Sequence, residues 1–212
     1  KVSIIYTNAG YLVIPLVSSV LGEEWVFYTT AFLLVQNILT WTHCVSVLKG
    51  RNETDIKSIL LNPNMIALAI GLVLFVGGIR LPLILDSCVA GFSNVVTPTS
   101  MLVIGMVIGD VDLKWVFRQK RPYLICLIRL VLIPMTFAVA LGLAGRMLPH
   151  ADTEYILMIV LIAVAAPVAA MITQLAQVYD QDVRYASVIN VMSVIFCIIT
   201  MPLTILLYEM II

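Results

Sequence analysis

Apolar residues run along this chain in seven long stretches that shorter polar segments separate. The stretches cover roughly 3–21, 25–48, 64–81, 87–109, 123–145, 155–178 and 185–211. A helix needs about 20 such residues to cross the ~30 Å hydrocarbon core of a bilayer. Strands of a transmembrane barrel would instead show alternating segments of about ten residues. The pattern therefore predicts an all-α membrane protein with seven spans.

The composition agrees with this fold class and excludes several functions. Hydrophobic residues make up 62% of the chain and charged residues 11%, against about 25% charged residues in soluble domains. Twelve basic and twelve acidic residues cancel, so no overall field attracts nucleic acid. The four cysteines stand singly in apolar runs, without the spacing of a metal site. We expect no enzyme activity, no cofactor, no metal and no nucleic-acid partner.

The basic residues predict how the chain crosses the membrane. Loops on the cytoplasmic side carry an excess of Lys and Arg. Only Arg80 and Arg146 fall on one side, and Arg129 lies within a span. The other side collects Lys1, Lys49, Arg51, Lys57, Lys114, Arg118, Lys120, Arg121 and Arg184. The chain is thus expected to start in the cytoplasm and end outside. A seven-helix receptor runs in the opposite sense, which makes a sensor the weaker alternative.

Two spans carry a break near the middle. The stretch TNAGYLVIPL at 7–16 contains Asn8, Gly10 and Pro15, and the stretch AVAAPVAAMITQLAQVYD at 163–180 contains Pro167. Proline kinks or unwinds a helix, and freed backbone groups in a bilayer need partners from protein, water or ligand. Paired interruptions of this kind point to the binding site of a secondary transporter, where half-helix N-termini suit an anion.

The two broken spans are predicted to belong to an inverted repeat. Each is followed by an acidic and aromatic connector and then by an unbroken stretch with a central amide, Asn37 or Asn190. They lie five spans apart and cross in opposite directions, as a five-plus-five repeat requires. Residues 1–48 would form the last two spans of the first repeat, 49–63 a cytoplasmic linker, and 64–212 the second repeat. Three further spans are expected ahead of Lys1.

These motifs resemble the auxin efflux carrier family, which also includes bacterial carriers for malate, malonate and similar acids. Asn8 stands seven residues before Pro15 in TNAGYLVIPL, like the family's fourth span. The stretches APVAAMITQLAQVYDQD at 166–182 and IITMPLTILLY at 198–208 are similar to its ninth and tenth spans. Thr7 replaces the proline that plant auxin carriers have there, and the second break is apolar around Pro167. Both departures argue against auxin itself as the substrate.

The resemblance implies ten spans, both termini outside, and two broken helices that cross at mid-membrane, so this chain would hold spans four to ten. It implies a multi-pass protein of the cell membrane, with a bacterial inner membrane as the expected location. The predicted partners are a small organic acid and the lipid bilayer, with possible H⁺ or Na⁺ coupling and a possible homodimer. A sodium-coupled carrier of the bile-acid symporter type has the same architecture and is the main alternative.

The candidate substrate-binding residues are the polar and helix-breaking positions inside spans. An amide such as Asn8 can bind substrate or satisfy its own kink, and Thr173 with Gln177 can line a path or bond helices together. An intramembrane Arg is functional by default but can also reach the lipid headgroups. The full set is Asn8, Gly10, Pro15, Asn94, Arg129, Pro167, Thr173 and Gln174. We expect the carboxylate between the breaks, with alternating access exposing it to each side.

Overall fold

The computed structural model of the chain describes residues 1–50, 57, 61, 63–109, 112–147 and 152–211. The described residues are helical, apart from connectors and one isolated antiparallel bridge between Thr7 and Val168. The all-α prediction is thus confirmed. Arg51 and most of the predicted linker at 49–63 lie outside the described residues, and the division of the chain into repeats stays a prediction.

Ten helices follow one another along the described chain. They are α1 (Val2–Ile5), α2 (Ala9–Val20), α3 (Glu23–Lys49), α4 (Pro63–Val76), α5 (Leu83–Gly109), α6 (Leu113–Arg118), α7 (Arg121–Met147), α8 (Thr153–Ala165), α9 (Met171–Val178) and α10 (Val183–Ile211). Among the described residues, α3, α7 and α10 are long and apolar enough to cross a membrane. Shorter apolar helices cover Ala9–Val20, Met65–Val76 and Thr153–Ala165. The count of seven spans and the inverted repeat stay predictions.

The helix ends differ from the predicted spans where local backbone chemistry intervenes. The third stretch was predicted to reach residue 81, but α4 ends at Val76 because Gly78 takes a left-handed conformation, with φ of 59°. The amide of Ile79 then donates to the carbonyl of Leu74, 3.0 Å away, which closes the helix end as a Schellman motif. The short helix α6 lies in a connector that the sequence marked only as charged.

Three π-helical turns lie inside the long helices, at Ala9–Val13, Thr40–Cys44 and Ile128–Leu132. The first and third come directly before an Ile-Pro pair, at Pro15 and Pro134. A proline ring clashes with the carbonyl one turn back, and a wider turn removes the clash. Pro15 therefore does not mark the first break. That break lies at Tyr6–Asn8, whereas Pro167 lies within the second, at 166–170.

The buried side chains form two clusters that share α10. One joins α2, α7, α8 and α10, and the other surrounds the two breaks and joins them to α3, α9 and α10. No described side chain of α4 or α5 is buried. In a bilayer such apolar faces are compatible with lipid, so the packed half of the molecule is the half that holds the breaks.

Candidate functional site

The two breaks cross each other through their backbones. The amide of Asn8 donates to the carbonyl of Pro167 at 2.8 Å, and the amide of Ala169 donates to the carbonyl of Tyr6 at 3.2 Å. These bonds form the antiparallel bridge between Thr7 and Val168. Each break thus provides hydrogen-bond partners for backbone amides and carbonyls of the other break, which have no partner within their own helix. The contact joins two segments 160 residues apart in the sequence.

The second break is also held by α10. The amide of Val168 donates to Ser193 Oγ at 3.1 Å, and the Ser193 hydroxyl donates to the carbonyl of Asn190 at 2.8 Å. The Asn190 amide Nδ2 lies 3.5 Å from the carbonyl of Val168. Both Asn190 and Ser193 are buried. These two polar side chains of α10 therefore replace the bonds that helix formation would have given Val168.

The carbonyls at the end of α8 meet donors from two other helices. Arg129 Nη2 on α7 donates to the carbonyl of Ala166 at 3.1 Å. Cys197 Sγ on α10 lies 3.7 Å from the carbonyl of Ala165. A cation near the C-terminal end of a helix is favourable because that end carries a partial negative charge. The four carbonyls from Ala165 to Val168 therefore all have partners.

The first break is held by α3. Gln36 Nε2 donates to the Thr7 carbonyl at 2.7 Å, and the Thr7 hydroxyl donates to Gln36 Oε1 at 2.8 Å. The Tyr6 hydroxyl donates to the carbonyl of Leu39 at 2.9 Å and lies 2.9 Å from His43 Nδ1. The first break is thus fixed by side chains as well as by the crossing.

A cavity of about 110 Å³ lies beside the crossing. The Asn8 side chain reaches it while only 4% exposed, and its Nδ2 donor has no hydrogen-bond partner among the described residues. An unpaired buried donor costs about 1–3 kcal/mol. The lining residues are Thr7, Asn8, Gly10, Tyr11, Gln36, Ala169, Ala170 and Met171. A buried donor without a partner marks this cavity as the place for an acceptor.

The electrostatics of the cavity favour a negative group. The helical segment after each break begins there, α2 at Ala9 and α9 at Met171, and neither N-terminus has a side-chain cap. Helix N-termini present free amides and a partial positive charge. None of the eight lining residues carries a charge. The amides of Ile172 and Thr173 already donate to the carbonyls of Ala169 and Ala170, so α9 contributes mainly its partial positive charge. A carboxylate that accepts from Asn8 would meet this favourable potential without meeting a like charge.

The other predicted site residues lie in three different settings. Arg129 is at the second break but does not line the cavity, and with 2% exposure its side chain does not reach lipid headgroups. Thr173 Oγ1 is buried without a partner among the described residues. Gln174 and Asn94 are exposed and do not line this cavity, and Gln177 is also exposed. Pro15 lies in the first turn of Ile14–Val20. Their roles toward a substrate stay predictions.

Sequence reasoning missed three residues that fix the crossing. Two contacts at the crossing are made by each of Gln36, Ser193 and Tyr6. The sequence singled out Asn37 as the central amide of the second span, whereas the adjacent Gln36 is the amide that contacts the break. All three are polar side chains within apolar runs, but only Ser193 has apolar neighbours on both sides, since Gln36 precedes Asn37 and Tyr6 precedes Thr7. The sequence pattern pointed to Asn190, which does contact the second break. The same pattern could not show whether Gln36 or Asn37 faces the first break.

Gly10 does not owe its place to tight helix packing. A Cβ atom built there would meet only Leu33 Cδ2, at 3.9 Å, which is an ordinary contact. We expect Gly10→Ala to keep or slightly raise the melting temperature, because alanine is favoured over glycine in a helix by up to about 1 kcal/mol. Since Gly10 lines the cavity, we expect the KM for substrate to rise. Gly91→Ala on α5, where a Cβ meets open space, is the matched control. A lower melting temperature with unchanged KM would contradict this assignment.

Comparison with family models adds the decisive observation. The model described as membrane transport protein matches residues 52–205, well over half of the chain. The chain belongs to this family of membrane transport proteins. The resemblance to auxin efflux carriers is thereby confirmed at the level of the family, and the protein is a membrane transporter. Searches of curated proteins and of solved structures returned no match. The matched range contains the second break and Arg129 but not Asn8.

Proposed function

We propose that this membrane transport protein is a secondary active transporter of a small organic anion, such as a dicarboxylate, that works by alternating access. The carboxylate binds in the cavity between the two broken helices. Asn8 donates to it through Nδ2, and the amides that open α2 and α9 add their partial positive charge. The inverted repeat, the seven crossings, the location in a bacterial inner membrane and a homodimeric assembly form part of this proposal.

The unpaired Nδ2 of Asn8 is the observation that carries the proposal. The backbone amide of Asn8 bonds Pro167, and the Thr7 hydroxyl and carbonyl both bond Gln36. Other buried side-chain atoms of the described residues also lack a partner, among them Arg129 Nε and Thr173 Oγ1, but of these residues Asn8 is the one that lines the cavity. An acceptor from substrate would complete the hydrogen bonding.

The same contacts favour a carrier that does not depend on sodium. A sodium ion at an unwound helix is coordinated by freed carbonyl oxygens. Here the carbonyls of Ala166 and Pro167 each accept a hydrogen bond from the protein, at 3.1 and 2.8 Å, and those of Ala165 and Val168 have longer contacts with Cys197 and Asn190, so part of their capacity to coordinate an ion is already used. The sodium-coupled, bile-acid symporter type of carrier is therefore the second candidate. Proton coupling and uniport both remain compatible with the site.

Uptake by the full-length protein in proteoliposomes tests both candidates. Labelled malate, malonate and indole-3-acetate would be offered at equal concentration, with Na⁺ or choline as the external cation. We expect saturable uptake of a small carboxylate that is the same in choline as in Na⁺. Uptake that requires Na⁺ would establish the sodium-coupled alternative. No saturable uptake of any acid, by a protein shown to be folded, would overturn the organic-anion proposal.

A further inference from the structure

Arg129 is a positive charge buried in the packed half of the molecule. Its side chain is 2% exposed, and no carboxylate among the described residues forms an ion pair with it. Its Nη2 donates to the carbonyl of Ala166, while Nε has no hydrogen-bond partner within the described part of the chain. It also lies in the π-helical turn Ile128–Leu132 that precedes Pro134. The wide turn is thus the part of α7 from which the guanidinium contacts the break.

A buried positive charge in this position costs free energy that a role in binding would offset. Placing Arg at the centre of a membrane helix costs about 2.5–3.5 kcal/mol on insertion scales. One bond to a carbonyl does not need a full charge, because an amide or hydroxyl makes the same kind of bond, as Asn190 and Ser193 do at Val168. The partial negative charge at the end of α8 offsets only part of the guanidinium charge. A net positive charge therefore remains next to the second break.

The neighbouring cavity has no charge of its own to bind an anion. Its lining contains Ala169, Ala170 and Met171, which follow the Ala166 carbonyl within a few residues. Arg129 therefore bonds the same break whose next residues line the cavity, without lining the cavity itself. A charge held at a fixed distance in a region of low dielectric attracts an anion without touching it.

We propose that Arg129 is a positioning residue that also supplies the fixed positive charge of the transport site, acting from behind the second break through the Ala166 carbonyl. This inference rests on the proposed function, because it assigns a role toward the same organic anion. The guanidinium holds the end of α8 in place and makes the potential of the cavity positive. The substrate neutralises that charge across the break, so the loaded site is closer to neutral than the empty one.

Two substitutions at position 129 separate charge from hydrogen bonding. Arg129→Gln keeps an amide donor for the Ala166 carbonyl but removes the charge, and Arg129→Lys keeps the charge with a different donor shape. Three residues of extended chain, the separation of Ala166 from Ala169, span at most about 10 Å. An opposite unit charge at a distance of that order, at an effective dielectric of about 20, changes binding on the order of tenfold. In proteoliposomes of the full-length protein we expect the KM for the transported acid to rise by that order in Arg129→Gln. We expect Arg129→Lys to stay close to wild type.

Arg80→Gln is the matched control, because Arg80 is exposed in the connector between α4 and α5 and does not line the cavity, so this variant loses the same charge outside the site. A KM that is unchanged in Arg129→Gln would overturn the inference and leave Arg129 as a hydrogen-bond donor only. If Arg129→Gln does not fold, the lysine variant decides: folded protein with a KM raised tenfold overturns the role of charge, and a wild-type KM supports it. Absence of uptake by the wild-type protein would instead refute the proposed function.

Discussion

Replacing Asn8 with alanine is expected to remove most of the transport activity while leaving the fold intact. The hydrogen bond from Nδ2 to a carboxylate is worth about 1.5–3 kcal/mol, which corresponds to a roughly 10- to 100-fold lower kcat/KM. The folded protein loses no hydrogen bond from Nδ2, because this donor has no partner among the described residues, and the variant removes an unpaired buried donor. The melting temperature in detergent should therefore stay the same or rise. The measurement pairs initial uptake rates in proteoliposomes with thermal unfolding of the same preparations.

Asn37→Ala is the control for this variant. Asn37 is also an amide within an apolar helix, but it is not a candidate substrate-binding residue and lies outside the lining of the cavity. We expect it to transport at the wild-type rate. An Asn8→Ala variant that melts at a clearly lower temperature, with its kcat/KM unchanged, would show that the Asn8 side chain stabilises the first break and does not bind substrate.

Replacing Ser193 with alanine is expected to have the largest effect on stability. Ser193 is fully buried, accepts from the Val168 amide and donates to the Asn190 carbonyl. Alanine fits the same space but leaves the Val168 amide without a partner, which costs about 1–3 kcal/mol. The apparent melting temperature should fall by roughly 2–12 °C. Because the second break loses one of its supports, uptake should fall as well.

Ser87→Ala provides the comparison. Its hydroxyl donates to the Leu83 carbonyl one turn back at 2.8 Å, on the exposed surface of α5, and that carbonyl belongs to an ordinary helix end. We expect no change in melting temperature. Equal melting temperatures for Ser193→Ala and the wild-type protein would mean that the Val168 amide finds another partner, and that the second break is not held in the way described here.

The apolar stretches predicted the helices well, because a bilayer leaves few alternatives to a helix. The positions of the breaks were harder to predict from the sequence. Pro167 lies within the second break, as predicted. Pro15 lies seven residues after the end of the first break, because its ring is accommodated by the π-helical turn Ala9–Val13 and does not interrupt the helix. Pro98 and Pro202 lie inside continuous helices. A proline predicts that a helix is disturbed, but the neighbours decide whether it unwinds.

The partners of the breaks could not be predicted because they depend on helix rotation. Gln36 rather than Asn37 contacts Thr7, and one residue on a helix changes the direction of a side chain by about 100°. Arg129 was predicted to act on the anion or to reach the lipid headgroups; its Nη2 donates to the Ala166 carbonyl, a partner that the sequence did not indicate, and its role toward an anion stays a prediction. The residues with unusual chemistry were visible in the sequence. What they touch followed only from the packing.

The crossing of the two breaks has a consequence for how such a protein can diversify. The bonds between Asn8 and Pro167 and between Tyr6 and Ala169 join backbone atoms only. Substitutions of the side chains at positions 8, 10, 169 and 170 leave these atoms in place. The residues that line the cavity can therefore change while the backbone frame that carries them persists. If the substrate binds there as proposed, new substrate preferences can arise by point mutation without a new scaffold.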